Sequence, residues 1–174
     1  MTMNEETIPD RGASHSEGRD RDPTGRARNA RPRDASGRPL PRGEAGVDRV
    51  PEDLVLPPDE ALAEAQRLLD EGLPFQAHEI LEGAWKAAEK AERQLWQGLA
   101  QLAVGLTHSQ RGNATGAVSL LLRGTERIEP FGPDAPHGID VPGLVAHGAA
   151  LAARIERDGL DHLTTADLQP RLRS

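Results

Sequence analysis

Residues 75–112 read FQAHEILEGAWKAAEKAERQLWQGLAQLAVGLTHSQRG, and this stretch decides the fold. Its apolar side chains recur at the spacing of one face of an α-helix. A connection near Ala91 divides the stretch into two helices. Because short connections make successive helices antiparallel neighbours, the stretch predicts a helical hairpin at the centre of the protein.

The second helix of this hairpin, predicted over 92–110, carries little charge after Arg93. Apolar residues cover most of its circumference, which is typical of the most buried helix of a bundle. Gly98, Gly105 and Ser109 form a stripe of small residues along it. Since a glycine inside a helix costs roughly 1 kcal/mol relative to alanine, the stripe predicts a packing or site role, with a neighbouring helix approaching closely.

Capping and stop residues delimit the remaining helices, with Pro, Asp or Asn at the starts and Gly at the ends. These signals predict five helices, over about 59–71, 74–91, 92–110, 114–128 and 141–158. A faint repeat at an offset of 40 residues relates 72–86 to 112–126, and such repeats are typical of tetratricopeptide-like helix pairs. The predicted fold class is all-α, a compact bundle of about five helices joined to an irregular N-terminal arm.

Composition divides the chain into four segments. Residues 1–22 are polar, charged and without period, which predicts a disordered tail. Residues 23–56 are rich in Arg, Pro and Gly and predict an extended arm. The helical domain is expected over 57–160, and residues 161–174 are expected to form a C-terminal tail that frays.

Composition also excludes several classes of protein. The sequence contains no cysteine, which excludes disulfides, thiolate catalysis and iron–sulfur clusters. No apolar run reaches the ~18 residues of a membrane span, and no secretory signal is visible. The sequence therefore predicts a cytoplasmic protein without a membrane partner.

Charge is unevenly distributed. Residues 1–50 hold ten Arg and nine acidic residues, whereas the rest of the chain holds eleven basic and nineteen acidic residues. An acidic folded part disfavours binding to nucleic acid, whose phosphates attract basic surfaces. A small molecule or a protein remains the expected partner, and the sequence does not indicate the oligomeric state.

Polar residues interrupt the apolar faces of the central hairpin. His78 and Glu82 lie one helical turn apart at the edge of a buried face, with Trp85 beside them. Gln97, Gln101 and His108 form a polar stripe on the next helix. If the two helices pack antiparallel, Glu82 would meet Gln101 and His78 would meet His108.

Three interpretations of this set remain open. In the first, it is a satisfied hydrogen-bond network of the core. In the second, it is a pocket for a small ligand or an acid–base pair. In the third, His78, Glu82 and His108 bind a divalent metal, although the spacing is not the HExxH of metalloproteases. The cofactor is therefore unknown, and a divalent metal is one candidate.

For three other polar and aromatic residues the sequence predicts a position but no functional role. Glu79 is expected to point to solvent, His137 to lie in a Gly/Pro loop, and Trp96 to belong to the core. The sequence contains no nucleophile elbow, P-loop or dinucleotide fingerprint. It therefore leaves open whether the protein is an enzyme.

The segment AHEILEGAW, with His78, Glu82 and Trp85, resembles the HxxxExxW signature of the domain of unknown function 309 family. The following segment LWQGLAQLAVGLTHSQRGNATGA is also similar to that family. The resemblance spans about residues 61–128. It implies an all-helical fold and a shared role for the three signature residues, without an established activity.

The arm sequence GRARNARPRDASGRPLPRG resembles a segment that precedes the domain in actinobacterial members of that family. This resemblance suggests that Asn29, Arg31, Arg33 and Asp34 fold across the domain and reach the His78/Glu82 site. An arginine there could pair with Glu82 or bind an anionic ligand. The alternative is a mobile, tethered tail.

The expected function is binding of a small molecule, or of a metal, at a His/Glu/Gln site between the second and third helices. The alternative is a non-catalytic protein-interaction module, in which the His/Glu set is structural.

Overall fold

The structure is a computed structural model that describes residues 31–174. Residues Pro32–Ser174 form one compact unit, and Arg31 falls in the unit before it. The predictions for residues 1–22 and for Asn29 lie outside the described residues. Within the described part, no helix is both long and apolar enough to cross a membrane.

Five α-helices account for the architecture of residues 31–174, and the all-α prediction is confirmed. They are α1 (Pro58–Asp70), α2 (Pro74–Ala87), α3 (Arg93–Gln110), α4 (Ala114–Ile128) and α5 (Val141–Asp158). Three short 3₁₀ turns, Glu129–Phe131, Pro136–Gly138 and Ala166–Leu168, complete the regular structure of the described part. Helix α3 packs on both α2 and α4, α1 packs on α2, and α5 packs on α4.

Local signals set most helix boundaries. The Asn113 side chain accepts a hydrogen bond from the Gly116 N–H (2.9 Å) and so caps α4, and Asp140 caps α5 in the same way. Aspartate favours the N-cap position, but Asp59 lies in the first turn of α1, because that helix begins at Pro58.

Helix α2 ends four residues before the expected position. Ala88 adopts an extended conformation (ψ 145°), which stops the helix. The carbonyl of Glu89 then accepts hydrogen bonds from the N–H groups of Glu92 and Arg93, forming a tight turn into α3. This turn places the start of α3 close to the end of α2.

Small residues bring α3 and α4 together, as the stripe predicts. A β-carbon at Gly98 would lie 3.1 Å from the carbonyl oxygen of Gly124, and one at Gly105 would lie 2.9 Å from Cγ of Leu121. Larger side chains at these positions would push the helices apart. The core residue Trp96 beside them is 1% exposed.

The C-terminal segment 161–174 packs on the bundle, so the prediction that it frays is wrong. Leu172 is 3% exposed. Its N–H donates to Oε1 of Gln66 (2.8 Å) and its carbonyl accepts from the N–H of Asp140 (2.9 Å). Leu163 and Leu168 also pack against the core. Apolar contacts together with hydrogen bonds of the backbone therefore hold a segment whose composition is mostly polar.

Candidate functional site

Residues 32–40 of the arm form a tight hairpin. Leu40 donates its N–H to the Pro32 carbonyl (2.7 Å), and Arg33 pairs with Pro39 in an antiparallel bridge. The Asp34 carboxylate closes the turn by accepting bonds from Ser36 and from the N–H of Arg38. Aspartate is well suited to this position because its side chain reaches backbone N–H groups two to four residues ahead.

This hairpin rests on Phe75, at the start of α2. Gly37 is buried at φ +77°, and a β-carbon there would lie 2.5 Å from Cδ2 of the Phe75 ring. The guanidinium groups of Arg33 and Arg111 lie 5.4 and 5.5 Å from the ring centroid, a cation–π arrangement. Arg111 also donates from Nε to the carbonyl of Ser36 (2.7 Å), which ties the hairpin to the end of α3.

The later part of the arm, residues 48–55, also contacts α2. Gln76 donates from Nε2 to the carbonyl of Asp48 (2.5 Å). The carbonyl oxygen of Leu54 lies so close to Gly83 that a β-carbon there would be 2.8 Å away. Between these points, a groove of about 320 Å³ separates residues 50–55 from α2. We call it the arm groove; its polar lining consists of Glu52, Glu79, Glu82 and Lys86.

His78 and Glu82 form a pair on α2, as the spacing predicts, with 3.7 Å between Nε2 and Oε2. The other carboxylate oxygen of Glu82 lies 3.0 Å from Nζ of Lys86. Burial lowers the pKa of His78 from its ordinary value, an effect that outweighs the attraction of Glu82. The imidazole is therefore neutral at pH 7, and Lys86 is the cation that pairs with Glu82.

Glu79 is half-buried rather than directed to solvent, because the arm covers this side of α2. Burial raises the pKa of its carboxyl group, and the neighbouring carboxylates of Glu82 and Glu52 add to this effect. The nearby cations Arg49 and Arg33 oppose it without cancelling it. Sequence reasoning missed this residue because nothing local shows that the arm covers it.

The glutamines of α3, Gln94, Gln97 and Gln101, face α4. Arg127 of α4 donates to Oε1 of Gln101 (3.0 Å), of Gln97 (3.1 Å) and of Gln94. Three amide oxygens on one helix face thus bind one guanidinium. The structure does not bring Gln97 and Gln101 together with His78 and Glu82.

His108 lies at the end of α3, with Nδ1 3.1 Å from Nδ2 of Asn113. Partial burial and the nearby Arg111 lower its pKa. Among residues 31–174, no group of three or more His, Asp or Glu side chains is arranged to hold a metal ion. His78, Glu82 and His108 are therefore not brought together as a metal site.

The remaining candidates occupy different positions. Trp85 is half-buried and packs against the core. Arg33 does not pair with Glu82; it lies over Phe75 and donates to the carbonyl of Gly37. Arg31 falls in the unit that precedes Pro32.

Glu92, Trp96 and His137 form a second cluster of polar contacts, which the sequence did not predict. Nε2 of His137 lies 2.8 Å from Oε2 of Glu92, which also accepts from Nε1 of Trp96 (3.1 Å). These side chains line a cleft of about 240 Å³ between the end of α2 and the start of α3. The two partners are 45 residues apart, and no local pattern signals their contact.

Part of the helical region, α1 to α4, is similar to a known protein family. The model of the family "Domain of unknown function (DUF309)" matches residues 62–120. This part of the chain is similar to DUF309 domains. This match covers most of α1, all of α2 and α3, and the first part of α4, so the prediction made from the signature residues is confirmed. His137 and the arm lie outside the DUF309 match.

A curated relative is similar to part of the chain. Over 48 residues the chain is 46% identical to "Uncharacterized protein YpuF" of Bacillus subtilis (strain 168). The aligned part is 27% of this chain and 28% of that protein, so the chain spans under a third of the relative's length. No solved structure matches the chain.

Proposed function

We propose that the protein binds a small cationic molecule in the arm groove. The observation that carries this proposal is the groove itself, which has about 320 Å³ and is lined by three carboxylates and one ammonium group. Its volume lies in the range of small-molecule sites, about 300–1,000 Å³. Arg49, beside the groove, lies 3.7 Å from the carboxylate of Glu52, so the three carboxylates outnumber the two nearby cations, Arg49 and Lys86, and favour a cationic ligand.

Glu79 supplies the strongest attraction. Its carboxylate is half-buried, and burial raises its pKa. A cation placed beside it replaces part of the lost hydration and favours the charged form. Arg49 and Arg33 already offset part of this burial, and a ligand cation beside the carboxylate would offset more of it.

Lys86 occupies the place that a ligand would take at Glu82. Its side chain is 68% exposed, although its ammonium lies 3.0 Å from the carboxylate. Exposed ion pairs of this kind contribute only about 0–1 kcal/mol. A ligand ammonium can therefore displace Lys86 at little cost.

His78 borders the same carboxylate without adding charge. Because burial keeps its imidazole neutral at pH 7, it does not compete with a ligand cation for Glu82. Glu82 is therefore not neutralised by His78, and the groove keeps its negative charge.

The proposal is tested by calorimetric titration with 1,4-diaminobutane and with the uncharged 1,4-butanediol. We expect the diamine to bind the wild type and the diol not to bind. Glu79→Gln should weaken diamine binding about tenfold or more, since a charge-assisted bond is lost. The matched control is Glu126→Gln, an exposed carboxylate on α4, which should bind as the wild type does.

Either of two results would contradict the proposal: equal binding of the diol and the diamine, or wild-type affinity in Glu79→Gln. The alternative of a protein-interaction module requires an exposed apolar patch. In the described part, the exposed large hydrophobic side chains are Val55 and Leu122, on the arm and on α4. They give that alternative no specific support.

A further inference from the structure

Three arginines meet at the turn of the arm hairpin. Nη1 of Arg33 donates to the carbonyl of Gly37, and Nε of Arg111 donates to the neighbouring carbonyl of Ser36 (2.7 Å). In return, Nη2 of Arg38 donates to the backbone carbonyl of Arg111 (2.5 Å). These bonds bring together guanidinium groups from two separate parts of the chain, the arm and the end of α3. We call Arg33, Arg38 and Arg111 the arginine cluster.

No ion pair neutralises the arginine cluster. Within residues 31–174, its members donate to backbone carbonyls and not to carboxylates. Two carboxylates act on it from a greater distance, Asp34 on Arg111 and Glu79 on Arg33. Asp34 is already engaged by the backbone N–H groups of the turn. Three guanidinium groups thus face two carboxylates, which leaves a surplus of positive charge.

The like charges of the cluster repel one another. Burial lowers the pKa of Arg111, and repulsion from Arg33 and Arg38 adds to this effect, whereas the attraction of Asp34 opposes it. Nε of Arg33 is also buried without a hydrogen-bond partner, although buried polar atoms usually have one. An anion placed beside these groups would reduce the repulsion and favour their charged forms.

Two members of the cluster keep N–H groups that a ligand can reach. Neither Nη atom of Arg111, nor Nη2 of Arg33, makes a hydrogen bond in the described part of the chain, and none of the three is a buried atom. The end of a guanidinium group binds two oxygens of an oxyanion side by side. One such group occupies both oxygens of a carboxylate, whereas a phosphoryl group has a third oxygen for a second arginine.

We propose that the arginine cluster binds the phosphoryl group of a small phosphate compound, either the free anion or a monoester. Arg111 donates to it from the end of α3, Arg33 donates to it from the hairpin, and Arg38 adds positive charge. The ligand therefore bridges the arm and α3, and it fastens the hairpin on the bundle. This site is separate from the arm groove, because no member of the cluster lines that groove.

Calorimetric titration with inorganic phosphate, glycerol 3-phosphate and glycerol tests the proposal, at an ionic strength kept constant with sodium chloride. We expect at least one of the two phosphates to bind saturably and glycerol not to bind. The tighter of the two identifies the free anion or the ester as the ligand. Equal binding of glycerol, or no saturable binding of either phosphate, would overturn the proposal.

The decisive variant is Arg111→Gln, which removes one of the two guanidinium groups that contact the ligand. It should weaken phosphate binding about tenfold or more, because charge-assisted hydrogen bonds are lost. The matched control is Arg123→Gln, at an exposed arginine of α4, which should bind as the wild type does. Wild-type affinity in Arg111→Gln would show that the cluster is not the site.

A second variant is needed because Arg111→Gln also removes a bond that holds the hairpin. Arg33→Gln leaves the bond between Arg111 and Ser36 in place and should weaken phosphate binding about fivefold or more.

Tryptic cleavage of the wild type gives an independent readout of the bridge. The saturating phosphate should slow cleavage after Arg33 and leave cleavage unchanged after Lys90, in the exposed turn between α2 and α3. Wild-type affinity in Arg33→Gln, or a rate of cleavage after Arg33 that the ligand does not change, would overturn the proposal.

Discussion

Replacing Gly37 with alanine tests whether the hairpin of the arm is held on α2 by its contact with Phe75. Gly37 has φ +77°, and the left-handed region costs an alanine about 1 kcal/mol or more. The new β-carbon would also lie 2.5 and 2.6 Å from Cδ2 and Cδ1 of the ring, well inside the ~3.5 Å of an ordinary carbon–carbon contact. Overpacking of this kind costs roughly 1–3 kcal/mol.

These two effects together predict a loss of about 2–4 kcal/mol if the hairpin stays in place. The hairpin can instead leave α2, because residues 32–40 contact the bundle chiefly through Phe75 and Arg111. The loss of stability is then smaller, and the hairpin becomes accessible. Denaturant unfolding measures the first outcome, and the rate of tryptic cleavage after Arg33 measures the second.

Gly43→Ala is the matched control. Gly43 also has positive φ (+91°), but a β-carbon there would meet nothing within 4 Å. It should cost about 1 kcal/mol and leave tryptic cleavage of the hairpin unchanged. If Gly37→Ala behaves like Gly43→Ala in both assays, the contact with Phe75 does not hold the hairpin, and the reasoning is refuted.

Three further predictions concern the remaining polar residues. Burial lowers the pKa of His78 below its ordinary 6.5, so His78 binds a proton more tightly in the unfolded chain than in the folded protein. The free energy of unfolding of the wild type should therefore fall as the pH drops below 6.5, and it should fall less steeply in His78→Gln. The pKa of Glu79 is shifted in the opposite direction, to above 4.5, because burial disfavours its charged form. Glu79→Gln removes this buried charge, so the variant should melt at a higher temperature than the wild type at pH 7 and lose this advantage below pH 4.5. Arg127→Met should lower the free energy of unfolding by about 1–2 kcal/mol, because Gln97 and Gln101 lose their hydrogen-bond donor. The affinity for the diamine should stay unchanged. Weaker diamine binding in this variant would show that the two glutamines belong to the binding site.

The helices were predictable because their signals are local. Asn113 and Asp140 reach N–H groups three residues ahead, and Gly72 ends a helix at φ +74°. The early end of α2 was not predictable in this way. The sequence after Ala87 favours a helix, and the turn at Glu89 exists because α3 must pack back on α2.

The candidate site was only partly predictable. The His78–Glu82 pair follows from one turn of a single helix. The orientation of the glutamine stripe depends on Arg127, 26 residues beyond Gln101. A polar stripe on a helix indicates a polar neighbour, but not which neighbouring helix supplies it.

The arm groove, between residues 50–55 and α2, is the proposed cation site. Hydrogen–deuterium exchange, with and without saturating 1,4-diaminobutane, tests it most directly. The ligand should slow exchange in peptides that cover 47–56 and 79–86, because it bridges the two walls of the groove. Unchanged exchange in both peptides, under conditions where the diamine is bound, would place the ligand elsewhere and contradict the claim.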